Sequence, residues 1–196
     1  MSYLNLASLR FCTEAEGPGR RLAIWVQGCN RHCEGCCNLA MQEFKPNIIV
    51  QVSDLISLIE KSYTENNIEG ISLIGGEPIL QAEGLSEVAE WAQSRGLTVL
   101  LFTGFLEEEL HAMGNKYVEK LLSFTDILVD GPFIQAEYDE ERDWVGSRNQ
   151  RVIFLSDAYK PGVEYAKQER QVEFLVSSQD VLINGWPFDD DKFSSR

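Results

Sequence analysis

Apolar positions along the chain follow two alternating rhythms. Short continuous apolar runs occupy about 20–27 (RRLAIWVQ), 71–75 (ISLIG), 97–102 (LTVLLF) and 126–130 (DILVD), and runs of this length read as buried strands. Between them, apolar residues recur every three to four positions. In 52–66, Leu55, Ile56, Leu58, Ile59 and Tyr63 make one face of a helix, with Ser53 as its candidate N-cap. A second helix is predicted over 79–95, stopped by Gly96, and a third, fronted by acids, over 106–123. The last third is less regular. QVEFLVSSQDVLINGW predicts two strands around a turn near Ser177 to Asp180, a terminal hairpin, and the acidic PFDDDKFSSR is expected to fray.

Strands alternating with helices predict an α/β fold of parallel units around a buried sheet. In such sheets, ligands sit at the carboxyl ends of the strands. Four unusual loops follow the four predicted strands: a cysteine-rich stretch, then GGEP, TGF and DGPF. All four are therefore expected on one edge of the sheet.

The first of these loops, GCNRHCEGCCN at 28–38, spaces Cys29, Cys33 and Cys36 as C-x3-C-x2-C. Three thiolates can hold three irons of a cubane [4Fe–4S] cluster, where a fourth would close it. The remaining iron is open to a small molecule, as in catalytic metal sites. Such an iron suits chelation by the amino and carboxylate groups of S-adenosylmethionine, whose sulfonium one electron then cleaves to a 5′-deoxyadenosyl radical. A zinc knuckle is the competing reading, but structural zinc usually takes two separated ligand pairs. No later C-x2-C or H-x3-H follows, and His32 and His111 are the only histidines. Cys37, beside Cys36 on the same backbone, is expected to be a packing thiol rather than a ligand, and the isolated Cys12 likewise.

Composition narrows the function further. The chain has 196 residues, 44% of them hydrophobic, enough for one compact domain with a small appendage. Its 31 acidic against 17 basic residues give a formal charge of -14, which argues against reading nucleic-acid backbones and against anionic membrane surfaces. There is no spanning-length apolar run and no basic-then-apolar leader pattern, so a cytoplasmic location is expected. Five cysteines, four of them clustered, are unlike a disulfide framework and point to metal or redox chemistry.

The cysteine run resembles the signature of the radical S-adenosylmethionine superfamily. Its setting, EGPGRRLAIWVQGCNRHCEGCCN, is most similar to the anaerobic ribonucleotide reductase activating proteins among the glycyl-radical-enzyme activases, and more distantly to pyruvate formate-lyase activating enzymes. The matching residues are Gly17-Pro18-Gly19-x-Arg21, Gln27-Gly28-Cys29 and Asn38. Cys37 stands where the superfamily often has an aromatic residue near the adenine.

The resemblance runs from about Gly17 to Leu155. It implies a partial, open β/α barrel over residues 1–155, with 156–196 as an extension carrying the hairpin and acidic tail. It implies a [4Fe–4S] cluster on Cys29, Cys33 and Cys36, and S-adenosylmethionine bound at its amino end by Gly75, Gly76 and Glu77 of the GGEP loop, which Pro78 completes. Thr103 is a candidate for bonding ribose or carboxylate, or for capping the next helix. Asp130 would bind cofactor polar groups or a cation, or form an Asp-Gly turn. Arg151 would pair with the cofactor carboxylate, or serve structure alone. The implied partners are a glycyl-radical enzyme or other protein substrate, and a flavodoxin or ferredoxin-type electron donor. Two other readings stay open: a radical enzyme acting on a small molecule or peptide, similar to deazaguanine synthases, and a non-catalytic metal module that regulates a partner.

Overall fold

The computed structural model describes residues 2–166, 172–176 and 181–185. Along the chain run β1 (Tyr3–Thr13), β2 (Arg21–Val26), β3 (Ile48–Gln51), α1 (Val52–Asn66), β4 (Gly70–Gly75), α2 (Ala82–Ser94), β5 (Thr98–Phe102), α3 (Glu107–Ala112), α4 (Lys116–Ser123), β6 (Ile127–Asp130), β7 (Arg151–Phe154), β8 (Val172–Val176) and β9 (Val181–Gly185). Seven strands form one open sheet in the order β3-β1-β2-β4-β5-β6-β7. The central β2, β4, β5 and β6 run parallel, and β1, β3 and β7 flank them antiparallel. The fold is thus α/β with a parallel centre, as the alternating pattern predicts.

Every residue of β2 and of β6 is buried, because both faces of the sheet are covered and alternate side chains serve each face. Leu22, Ile24, Leu73 and Leu101 pack against Leu55, Ile59, Leu85 and Leu121 of the helices. On the other face the sheet splits into two apolar zones. Leu100, Ile127, Val129 and Val145 fill one. Ala23, Trp25 and Ile74, with Met41 against them, form the other, beneath the cysteine loop.

The structure departs from the sequence reading in three places. The first strand of the reading is the second of the chain, preceded by β1; β3 is also new. Both lie at the sheet's antiparallel edge, and β3 is only four residues long, pairing with residues more than 40 positions away. The helix expected over 106–123 is two, because the chain takes a left-handed turn at Gly114 and restarts at Asn115, whose side chain accepts from the Tyr117 N–H at 2.9 Å. Ser53 is not the N-cap of α1. That place falls to Gln51, whose side chain makes no capping bond.

The predicted hairpin strands are β8 and β9, paired from Val172↔Gly185 to Val176↔Val181; the turn at 177–180 and the acidic tail at 187–196 lie outside the described residues. The hairpin docks on the end of β1. Asn184 Nδ2 donates to Thr13 Oγ1 (2.9 Å) and Glu173 Oε2 (3.0 Å), and the Glu14 N–H donates to Glu173 Oε1 (3.0 Å). Burial pushes the Glu16 carboxyl up to about 7, against a hydrogen bond from Gly185, with Glu173 adding to the rise and Arg10 opposing it. A carboxyl raised in this way keeps its proton in the folded chain where the unfolded chain has lost it. Its contribution therefore favours the fold at pH 5 and fades as pH rises through 7. Amide exchange in Val172–Val176, corrected for intrinsic rates, is expected to quicken between pH 5.5 and 7.5 in the wild type and to lose that dependence in Glu16→Gln.

Candidate active site

The parallel register brings the four loops to one level. Val26 lies opposite Gly75, and Phe102 opposite Val129, so the chain leaves β2, β4, β5 and β6 side by side. The cysteine loop is a closed excursion from this edge. Gly28 N–H donates to Met41 O (2.8 Å) and Cys29 N–H to Gln42 O (3.0 Å), which ties its two ends together. Buried Gln27 braces the neck, with Nε2 donating to Glu43 O (2.7 Å) and Oε1 accepting from Asn47 Nδ2 (3.2 Å).

GGEP is zipped to that neck. Gly76 N–H donates to Val26 O and Glu77 N–H to Gly28 O, both at 2.8 Å. The two glycines are required by backbone. Gly75 has φ +106°, and a Cβ there would lie 2.4 Å from Val26 N; a Cβ on Gly76 would lie 2.2 Å from Gly28 O. Pro78 opens a short 3-10 turn leading into α2.

Glu77, 1% exposed, crosses to the third loop. It accepts from Thr103 Oγ1 (2.8 Å), the Gly104 N–H (2.8 Å) and the Ile79 N–H (3.1 Å). Desolvation raises its pKa, and these three donors together with Arg31 oppose the rise. Thr103 also accepts from the Phe105 N–H at 3.1 Å, so its hydroxyl links the second loop to the third. The fourth loop is joined by the Thr103 N–H to Val129 O and the Gly131 N–H to Phe105 O, both at 2.9 Å.

Asp130 is fully buried and accepts from the Glu107 N–H at 2.8 Å. Arg151 grips it through both Nε and Nη2, and reaches Glu108 through Nη1 and Nη2 at 2.8 Å. The guanidinium holds the Glu108 carboxyl down at about 2, while the two carboxylates push the arginine up. Asn149 and Gln150 brace the same loop by donating to Pro132 O (2.7 Å) and Gly131 O (3.0 Å). The structure thus brings Gly75, Gly76, Glu77, Pro78 and Thr103 together at the cysteine loop, and sets Asp130 and Arg151 as a pair behind the fourth.

Sequence reasoning passed over two residues. Arg31 leaves the cysteine loop to lie over the Phe105 ring at 4.4 Å, a cation–π contact that docks loop one on loop three. Gln42, the other, stands in the turn that closes the cysteine loop. A groove of about 520 Å³ opens between Glu34 and Phe133–Ala136, between the first and fourth loops.

The cysteines fit a cluster by their chemistry. Cys29 is buried, which raises its thiol pKa, and the N–H groups of Arg31 and His32 oppose that rise. Cys36 is drawn down to about 6, chiefly by a hydrogen bond from the Cys37 thiol, which is itself driven up. Backbone N–H groups already aim at sulfur, Arg31 at Cys29 Sγ and Asn38 at Cys36 Sγ, both at 3.4 Å. Among the described residues no three His, Cys, Asp or Glu side chains gather closely enough for a single metal ion. A cubane spreads its thiolates over several irons and needs no such convergence. His32 contacts Gln42 and His111 contacts Glu119 on the exposed surface.

An α/β sheet whose carboxyl edge carries a cysteine-rich loop, laced to a GGEP loop, fits a class of iron–sulfur protein. The chain belongs to the family described as 4Fe-4S single cluster domain, which it matches over residues 15–153, within the radical S-adenosylmethionine activase group. It is similar to the anaerobic ribonucleoside-triphosphate reductase-activating protein of Enterobacteria phage T4, with 30% identity over 164 residues, 79% of this chain and 96% of that protein. The protein of the same name from Vibrio cholerae serotype O1 is 33% identical over 149 residues, 68% of this chain and 87% of its own. The pyruvate formate-lyase 1-activating enzyme of Escherichia coli K12 is 27% identical over 190 residues, 95% of this chain and 71% of its own. The protein is an oxidoreductase of the radical S-adenosylmethionine type, with an iron–sulfur cluster and S-adenosylmethionine as cofactors. No helix among the described residues is long and apolar enough to cross a membrane.

Proposed function

We propose that the protein activates a glycyl-radical enzyme of the anaerobic ribonucleotide reductase kind, on a sheet that is a partial, open β/α barrel. Cys29, Cys33 and Cys36 hold the [4Fe–4S] cluster. When bound, the cluster and S-adenosylmethionine would supply one-electron reductive cleavage of the sulfonium, and with it the means to take a hydrogen atom from a glycine of the partner. The observation that carries this reading is the lacing of the cysteine loop to GGEP by the Gly76 and Glu77 N–H groups.

The roles of the chain's own groups follow from their bonding. Gly75, Gly76, Glu77 and Pro78 would present their loop to the amino end of S-adenosylmethionine. Thr103 fixes the Glu77 carboxylate, and Asp130 with Arg151 brace the fourth loop, where they would serve the cofactor's carboxylate and polar groups. Trp25, Ile74 and Met41 give the site an apolar floor that keeps water from the radical. The groove between Glu34 and Phe133–Ala136 supports entry of an extended peptide segment. A flavodoxin or ferredoxin-type donor supplies the electron.

The test is anaerobic reconstitution, reduction with dithionite and measurement of 5′-deoxyadenosine. About four irons per chain and steady 5′-deoxyadenosine formation are expected for the wild type. Cys33→Ala is expected to abolish product, and Cys37→Tyr to keep full iron. A cluster-loaded wild type that leaves S-adenosylmethionine intact refutes the reading, and iron loss in Cys37→Tyr refutes the assignment of ligands.

A further inference from the structure

Gln42 closes the cysteine loop, and its main chain is fixed to a proposed cluster ligand: its carbonyl accepts the Cys29 N–H at 3.0 Å. Its side chain is held by one end. The amide Oε1 lies 3.3 Å from His32 Nδ1, a contact in which the ring N–H donates and the amide oxygen accepts. With Nδ1 carrying the ring proton, the amide oxygen accepts and the NH2 group is turned the other way. The other end, Nε2, is buried and has no hydrogen-bond partner among the described residues. A buried amide donor without an acceptor is costly, so native proteins seldom keep one unless something else occupies the site.

Geometry shows where this donor bears, because Gln42 is tied through its carbonyl and its amide oxygen to the segment that carries Cys29 and Cys33. The side chain that anchors Gln42, His32, sits between Cys29 and Cys33 with φ +49°, in a conformation unusual for a residue other than glycine. The loop thus turns sharply to put the ring against the amide oxygen.

We infer that Gln42 is a positioning donor whose side-chain N–H hydrogen-bonds a sulfur of the bound cluster and makes the cluster easier to reduce. This rests on the proposal that Cys29, Cys33 and Cys36 hold a [4Fe–4S] cluster. Reduction adds one electron, and its charge spreads onto the sulfurs. A donor aimed at sulfur stabilises the reduced form more than the oxidised one and raises the potential. His32 acts through Gln42 by keeping the N–H turned inward.

The experiment is a dithionite titration of the reconstituted protein with redox mediators, followed by electron paramagnetic resonance, with iron counted on the same samples. Gln42→Met keeps volume and removes the donor, and the main-chain bond to Cys29 survives any substitution. The expected result is unchanged iron with a reduction equilibrium shifted roughly tenfold toward the oxidised form, 59 mV for one electron. Gln42→Glu at pH 8, with an acceptor in place of the donor, is expected to shift it further. His32→Ala, which frees the amide to turn, is expected to shift it less than Gln42→Met. An unchanged or raised potential in Gln42→Met overturns the inference, as does loss of iron in that variant, which would make Gln42 a brace of the loop. A wild type that takes up no iron overturns the cluster assignment itself, and is recognised before any potential is measured.

Discussion

Gly76→Ala is expected to strip most of the iron from the protein and to lower 5′-deoxyadenosine formation by roughly tenfold or more, the equivalent of at least ~1.4 kcal/mol. The reason is steric. A methyl group on Gly76 would stand 2.2 Å from Gly28 O, 2.8 Å from Gly28 C and 2.9 Å from Met41 O. All three are main-chain atoms, and they belong to the two ends of the cysteine loop that the Gly28 N–H to Met41 O bond holds together. No rotamer change can relieve the contact, so the neck of the loop must be forced apart beside Cys29. Overpacking of this kind costs about 1–3 kcal/mol where neighbours can yield, and here they are backbone. Gly96→Ala is the control. Gly96 has φ +77° but nothing within 4 Å of its would-be Cβ. That change should cost about 1–2 kcal/mol of left-handed strain and leave iron per folded chain untouched. Wild-type iron and product in Gly76→Ala would show that the second loop does not position the first.

Much of this arrangement is legible in the sequence, for a physical reason. Parallel strands buried on both faces must be short apolar runs, and RLAIWV and DILVD can be little else. Once the strands are placed, the loops at their carboxyl ends fall on one edge. What the sequence hides are bonds between distant segments. β3 exists only because Ile48–Gln51 meets Tyr3–Leu6. The GGEP glycines look like space for a ligand, whereas their missing Cβ atoms make way for the backbone of β2 and of the cysteine loop. Thr103 and Glu77 each invite a separate role, yet they bond each other at 2.8 Å. Arg151, legible as a partner for a carboxylate, is gripped by Asp130 and Glu108 of its own chain. The side-chain types permit these pairings, and only the fold selects them. Gln42 carries no sequence signal at all; its meaning comes from a buried N–H with nothing to bond.

Arg21 lies at the opposite edge of the sheet from the cluster loop, and Arg21→Met is expected to be the most damaging change to stability alone. The side chain is fully buried. Its guanidinium donates to Ser72 Oγ (2.9 Å), Pro18 O (3.1 Å), Thr98 Oγ1 (3.0 Å), Tyr159 OH (3.2 Å), Ile71 O (2.6 Å) and Thr98 O (3.1 Å). No carboxylate among the described residues touches it, and desolvation lowers its pKa although Tyr159, Asp126 and Glu69 favour the charge. It is a hydrogen-bonding hub that joins the starts of β2, β4 and β5 to the Gly17–Arg20 lead and to Tyr159. The lead is shaped around it: a Cβ on Gly17 would come within 2.8 Å of Arg21 Cδ. Methionine fills part of the volume but donates nothing, so several buried acceptors lose their partner. At about 1–3 kcal/mol for each group left unsatisfied, and with some relief from water or local shifts, the net loss should be about 3–5 kcal/mol. For a chain of this length that is a fall of roughly 10 °C in Tm. Because the damage is at the amino ends of the strands, iron content and 5′-deoxyadenosine per folded chain should stay near wild type at 15 °C. Arg21→Lys, with one compact ammonium in place of a planar fork, should recover only part of the loss, since it cannot reach acceptors spread over two strands, the lead and Tyr159. A variant that keeps its Tm but loses iron would instead make the Gly17-Pro18-Gly19-x-Arg21 motif part of the site.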